Sequence, residues 1–105
     1  MTPEGKVVAA LKKRAKMDGL LVRKCSWVGH VGAPDLFFMD PRTGVHFWVE
    51  VKAPGQVPRL HQDREMERMR EAGCCVFVLD DAEQLPGVIR LASSQKMRDL
   101  MNRGS

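Results

Sequence analysis

The stretch PDLFFMDPRTGVHFWVEVK, residues 34–52, decides the fold, because it holds two apolar runs separated by a turn signal. Residues 40–44 combine aspartate, proline, threonine and glycine, which are typical of tight turns. The flanking runs, 35–39 and 45–52, are rich in aromatic and β-branched side chains, which favour strands. We therefore predict a β-hairpin over this stretch.

Side chains alternate along the second strand of this hairpin. Phe47, Val49 and Val51 fall on one face, because successive side chains of a strand point to opposite sides. This face is predicted to join the core. The opposite face carries the side chains of His46, Trp48, Glu50 and Lys52.

The register of the hairpin decides whether its two acidic residues meet. If Met39 pairs with His46, the antiparallel ladder sets Asp35 opposite Glu50. A slip of one residue would separate the carboxylates onto opposite faces and expose the apolar side chains. We predict the first register.

Asp35, Glu50 and Lys52 then form an acid, acid and lysine group at one place on the sheet. Neighbouring carboxylates repel unless a cation lies between them, and Mg²⁺ or Mn²⁺ takes oxygen ligands of this kind. Such a metal can assist phosphodiester hydrolysis, with Lys52 orienting water or neutralising phosphate. The same three residues are equally compatible with an exposed acid pair and a lysine salt bridge.

The sequence before the hairpin predicts a helix over about 3–18, opened by Thr2 and Pro3 and ended by Gly19. Glu4 falls on its apolar stripe, so we expect this carboxylate to point along the buried side. An acid that only favours the helix dipole is the alternative. The stripe consists of Val7, Val8, Leu11 and Ala15.

The remaining patterns predict two strands and two helices. A glycine-containing loop precedes Pro34, and a polar connection covers about 80–87. Gln62 shares a helical spacing with Met66 and Met69, so we expect it to point inward. The predicted strands are 20–27 and 74–79, and the predicted helices are 59–72 and 95–103, the last capped by Ser94.

This order, α-β-β-β-α-β plus a C-terminal helix, predicts an α/β (α+β) fold with a mixed central β-sheet flanked by helices. A chain of 105 residues has the length of a single domain, which we place at 1–105. The sequence has neither an apolar segment long enough to span a membrane nor a signal peptide, so we expect a cytoplasmic protein with no membrane partner. Three cysteines without a CxxC pair indicate reduced thiols within strands.

Positive charge concentrates near the start of the chain. The formal net charge is +4, and the first 24 residues hold seven lysines and arginines against two acids. A polyanionic partner is one interpretation, and a helix face that only keeps the protein in solution is equally compatible with the charges. The candidate nucleic-acid contacts are Lys6, Lys12, Lys13, Lys16 and His61.

Taken in order, these residues resemble the PD-(D/E)XK nuclease superfamily and its virus-type replication-repair nuclease (VRR-NUC) branch. The resemblance spans about residues 3–80. No motif can be matched beyond Asp81. The matching positions are Glu4, the segment Gly32-Ala33-Pro34-Asp35-Leu36, the segment Glu50-Val51-Lys52, and Gln62.

The resemblance implies a restriction-endonuclease-like core and a metal-dependent endodeoxyribonuclease with Lys52 as the catalytic lysine and Gln62 supporting the site. Small relatives resemble dimeric junction-resolving enzymes, which implies a homodimer acting on branched DNA such as a four-way (Holliday) junction, with a role in DNA repair. The implied ligands of Mg²⁺ or Mn²⁺ are Glu4, Asp35, Glu50 and the backbone carbonyl of Val51.

Two other functions stay open. A non-catalytic nucleic-acid-binding module on the same fold would bind in a salt-dependent way without needing a divalent metal. A nuclease acting on RNA would share the site and differ only in substrate.

Overall fold

The computed structural model describes residues 1–103, so the predicted domain 1–105 extends two residues beyond the described part. Four strands form one sheet in the order β1-β2-β3-β4, and three α-helices pack around it. The bounds are α1 Pro3–Met17, β1 Leu21–Lys24, β2 Leu36–Met39, β3 His46–Val51, α2 Leu60–Glu71, β4 Val76–Leu79 and α3 Leu85–Arg103.

The hairpin of β2 and β3 has the predicted register. Met39 pairs with His46 in an antiparallel ladder that continues to Leu36 and Val49. The turn between them is fixed by Asp40, whose side chain accepts hydrogen bonds from Arg42 and whose backbone N–H donates to the Val45 carbonyl at 2.7 Å. The prediction that the turn would set this pairing is confirmed.

The sheet is mixed. β1 and β2 also pair antiparallel, whereas β3 and β4 are parallel because α2 crosses over between them. Buried side chains alternate with partly exposed ones along β3, which confirms the two faces predicted from the sequence. The predicted fold class, a mixed sheet flanked by helices, is therefore confirmed.

One face of the sheet holds the larger core. Phe38 and Phe47 stack with ring centroids 5.2 Å apart and are fully buried. α1 and α3 cover this face, because each presents an apolar stripe to it. The helical side chains buried there are Val7, Leu11, Ala15, Leu85, Val88 and Ala92.

The opposite face is covered by α2 over only part of its width. Met66 and Met69 of that helix pack on Val76, with Trp48 and Val78 at the margin of the cluster. The face of β3 that carries the polar residues therefore lies beside α2, with Glu50 half-buried near the end of the strand.

β1 is shorter than the predicted strand 20–27. After Lys24 the backbone N–H of Cys25 donates to the Asp35 carbonyl at 2.7 Å, and the chain then leaves the sheet. The prediction is wrong beyond this point because β1 has only the short strand β2 as its partner. β4 likewise begins at Val76, two residues after the predicted start.

The predicted C-terminal helix 95–103 is present and ends at Arg103, but its predicted start is wrong, because α3 begins already at Leu85. Pro86 reads as a loop residue in the sequence, but a proline in the first turn lacks only an N–H that has no partner there. The preceding turn, Ala82–Gln84, is capped reciprocally by Asp81 and Gln84. Ser94, the predicted cap, lies inside the helix.

The three cysteines, Cys25, Cys74 and Cys75, are free and half-buried. They flank β1 and β4 rather than lying within them, which corrects the prediction of strand residues. Among residues 1–103, none of the helices combines the length and apolar character needed to cross a membrane.

Candidate active site at the end of strand β3

The register of the hairpin brings the two predicted acids to one place. The ladder ends at Leu36 and Val49, and its next position sets Asp35 opposite Glu50. Side chains facing each other across an antiparallel pair have Cβ atoms about 4.5–5.5 Å apart. Both carboxylates are half-buried, so they lie at the rim of the sheet and not in bulk solvent.

Lys52 follows on the same side and is held in place by two contacts. Its Nζ donates to Oε1 of Gln62 at 2.7 Å and lies 3.6 Å from Oε1 of Glu50. The side chains of Lys52 and Glu50 are each only 13% exposed. This ion pair is therefore shielded from solvent much more than a surface salt bridge.

Gln62 joins the ion pair to the start of α2. Its Nε2 donates to Glu50 at 3.3 Å, and its Oε1 accepts from Lys52 and from the backbone N–H of Arg59 at 2.9 Å. Gln62 is half-buried, as its spacing with Met66 predicts. A single amide thus fixes an acid, a lysine and a helix end relative to one another.

The pKa of Glu50 reflects its burial and the charges around it. Its pKa is raised from 4.5 to about 7, chiefly by burial. Lys52 opposes the rise, whereas the negative charges of Asp35 and Glu4 add to it. Burial thus opposes the ionisation of Glu50 more than Lys52 favours it, so an additional positive charge would stabilise the carboxylate.

Glu4 lies where its charge reaches Glu50, but it is solvent-exposed. The expectation that it points along the buried side of α1 is therefore wrong. The reason is its position in the first turn, where the sheet no longer covers the helix. The N-terminal prediction itself is confirmed, since the Thr2 hydroxyl accepts from the Gly5 N–H at 3.0 Å.

Two contacts that sequence reasoning missed hold the loop before Asp35. The indole Nε1 of Trp27 donates to the Pro34 carbonyl at 2.7 Å. Gly32 has φ +92° and packs so closely on α2 that an added Cβ would lie 2.9 Å from the His61 ring. Only the paired glycines of the loop hinted at this in the sequence.

The remaining predicted positions are dispersed. The α1 lysines and His61 are all exposed, and Lys12, Lys13 and Lys16 lie progressively further from the acid group along the helix. Their role in nucleic-acid binding stays a prediction. Val51 is buried as the last residue of β3, and the role of its carbonyl as a ligand also stays a prediction.

The donors fit a hard divalent cation by their chemistry. Within residues 1–103, no three side chains of aspartate, glutamate, histidine or cysteine converge closely enough to hold a metal by themselves. Mg²⁺ commonly uses only one or two carboxylates and keeps several waters. The facing acids Asp35 and Glu50 match that demand.

A mixed sheet whose hairpin presents an acid, a second acid and a lysine at one rim defines a nuclease domain of the PD-(D/E)XK type. A solved structure described as a VRR_NUC domain matches with a TM-score of 0.75 and 44% sequence identity, covering 86% of this chain and 97% of that one. The chain belongs to the VRR_NUC domain family, which confirms the resemblance drawn from the motifs. No family model and no curated protein matches the chain.

Proposed function

We propose that the chain is a metal-dependent endodeoxyribonuclease that prefers branched DNA, such as a four-way junction. The observation that carries this proposal is the network of Glu50, Lys52 and Gln62 beside Asp35. It lies at the end of β3, where Asp35 and Glu50 are half-buried and the side chain of Lys52 is 13% exposed.

Mg²⁺ or Mn²⁺ would be held by Asp35 and Glu50, with Glu4 and the carbonyl of Val51 as further donors. When bound, the metal supplies positive charge at the phosphate and a water of lowered pKa. The negative charge around Glu50 supports this assignment, because burial and acidic neighbours both oppose its ionisation without a cation.

Lys52 has the position of a residue that neutralises the phosphate or orients the attacking water. Oε1 of Gln62 accepts a hydrogen bond from the ammonium group of Lys52, which directs the lysine along the rim. Gln62 acts through Lys52 and Glu50 and is therefore a positioning residue.

Contacts to the DNA backbone would come from Lys6, two residues after Glu4 on α1, and from His61 at the start of α2. Lys12, Lys13 and Lys16 would extend this contact along α1. Exposed lysines of this kind position a duplex through its phosphates without reading its sequence.

A homodimer would place two such sites on one junction. The outer part of α3 supports this arrangement, since several of its large apolar side chains are more than half exposed and thus available to a second copy. These residues are Leu91, Met97, Leu100 and Met101. Light scattering should give twice the mass of the chain, and Leu100→Glu should return it to one.

The proposal is tested by cleavage of a four-way junction, a flap, a linear duplex and RNA of the same sequence, with Mg²⁺ or with a chelator. Glu50→Ala and Lys52→Ala should each lower the rate roughly a hundredfold or more. Glu71→Ala, an exposed acid at the far end of α2, is the matched control and should leave the rate unchanged.

Cleavage that survives both substitutions would refute the assignment of this site. Faster cleavage of RNA than of any DNA substrate would favour a ribonuclease. DNA binding that needs no divalent metal and leads to no cleavage would favour a non-catalytic module.

A further inference from the structure

The loop between β1 and β2 ends in an apolar tip, formed by Val28, Gly29, His30 and Val31, which we call the valine tip. Val28 is 94% exposed and Val31 is 82% exposed, so neither packs on the protein. A Cβ added at Gly29 would meet no atom within 4 Å, which places this part of the loop in open space.

The base of this loop is fixed, although its tip is not covered. The Trp27 ring lies 5.0 Å from that of Trp48, and its indole N–H holds the Pro34 carbonyl. Gly32 fits against His61 with no room for a side chain. These contacts lie on both sides of the valine tip, so the tip is presented on a rigid support.

The same contacts locate the valine tip beside the active site. Pro34 directly precedes Asp35, and His61 directly precedes Gln62, which bonds to Glu50. The tip therefore projects from the rim of the site and not from a distant surface.

Exposed basic side chains lie on both sides of this projection. Lys24 stands at the end of β1, before the loop begins, and Arg59 and His61 stand at the start of α2, across from it. Basic side chains bind phosphates, whereas two exposed valines pack favourably on apolar surfaces such as the faces of bases. Nucleic acid combines both, with charged backbones around stacked bases.

We propose that the valine tip is a wedge that inserts between bases next to the phosphate held at the active site and unstacks them. This inference rests on the proposed function, and it makes the loop the element that selects branched DNA. Bases at a branch point are already poorly stacked, so a wedge opens them at less cost than those of a continuous duplex.

The wedge is tested without cleavage, in the Glu50→Ala background that leaves DNA intact. A four-way junction carries 2-aminopurine beside the branch, and its fluorescence rises when that base unstacks. Binding should raise the fluorescence, and adding Val28→Ser and Val31→Ser should abolish the rise. Met17→Ser is the control, since Met17 is also exposed but ends α1 about 20 Å from Glu4.

Cleavage by proteins with Glu50 intact forms the second arm. Val28→Ser with Val31→Ser should slow cleavage of the junction by about tenfold or more, while the rate on linear duplex stays within about twofold. Thermal unfolding should be unchanged, because neither valine packs on the protein. The wedge would be overturned if the fluorescence rises equally with and without the valines, or if it does not rise when the labelled junction is saturated with protein.

The two arms separate this inference from the proposed function. Cleavage that depends on Glu50, with fluorescence indifferent to the valines, would leave the nuclease standing and remove the wedge. A valine-dependent rise in fluorescence without any cleavage would support the wedge and refute the nuclease function.

Discussion

Replacing Glu50 by glutamine should stabilise the metal-free protein at pH 8. The amide has the shape of a protonated carboxyl, and its oxygen can still accept from Gln62. It removes the ionisation that burial and the neighbouring acids oppose, so the substitution isolates the energetic consequence of placing that charge at the site.

The magnitude follows from the pKa of Glu50, raised from 4.5 to about 7 in the folded protein. The stability that this group contributes is fully present below pH 4.5 and is lost as the pH rises through about 7. Each pKa unit corresponds to about 1.4 kcal/mol, which sets an upper bound of about 3 kcal/mol. Partial access of solvent to the carboxyl lowers the expected gain to about 1–3 kcal/mol.

The assay is urea unfolding of wild type and Glu50→Gln in chelator, at pH 5 and at pH 8. The variant should exceed the wild type at pH 8 by clearly more than at pH 5, because most of the cost of ionising Glu50 appears between these pH values. Adding Mg²⁺ should stabilise the wild type more than the variant, because a bound metal offsets the cost of ionising Glu50. Equal stability at both pH values would refute the view that Glu50 is held in a strained ionised state.

Three further predictions concern positioning and charge. Gln62→Leu should lower the cleavage rate roughly tenfold to a hundredfold and shift the pH profile of that rate, while the free energy of unfolding falls by only about 1–3 kcal/mol. A loss of stability with an unchanged pH profile would show that the residue is merely structural. Gly32→Ala should destabilise the protein by about 1–3 kcal/mol more than Gly29→Ala, because both glycines have positive φ but only Gly32 meets a neighbour, and urea unfolding of the pair measures the difference. Alanine substitution of the three outer α1 lysines should weaken DNA binding equally across sequences. Fluorescence anisotropy should show that the slope of the logarithm of the binding constant against the logarithm of the salt concentration becomes shallower by about 1–3. An unchanged slope would place the DNA elsewhere. Those lysines are Lys12, Lys13 and Lys16.

The hairpin could be predicted from the sequence because several signals agree on it. Alternation in β3, the turn chemistry around Asp40 and the burial of Phe38 and Phe47 all require the same register. Once the register is set, the position of Asp35 opposite Glu50 follows without further information. Local patterns are sufficient where a period of two and a tight turn determine the pairing.

The start of the C-terminal helix could not be predicted in the same way. Pro86 and Gly87 are typical of loops, and only the sheet that Leu85 and Val88 cover makes a helix favourable there. Tertiary burial outweighed local propensity at this position. Glu4 shows a second limit of local patterns. Its spacing places it on the apolar stripe of α1, but the sequence does not show that this first turn is exposed.

The Gln62 network holds Glu50 and Lys52 in fixed positions although the ionisation of Glu50 is unfavourable there. Glu50 and Asp35 would repel each other out of alignment if each were free to rotate. Gln62 restrains Glu50 and Lys52 together, and its own position is fixed by the backbone of Arg59 at the helix start. Glu50 is therefore held where burial chiefly, and Asp35 and Glu4 in addition, raise its pKa, and a cation bound there would offset this cost of ionisation.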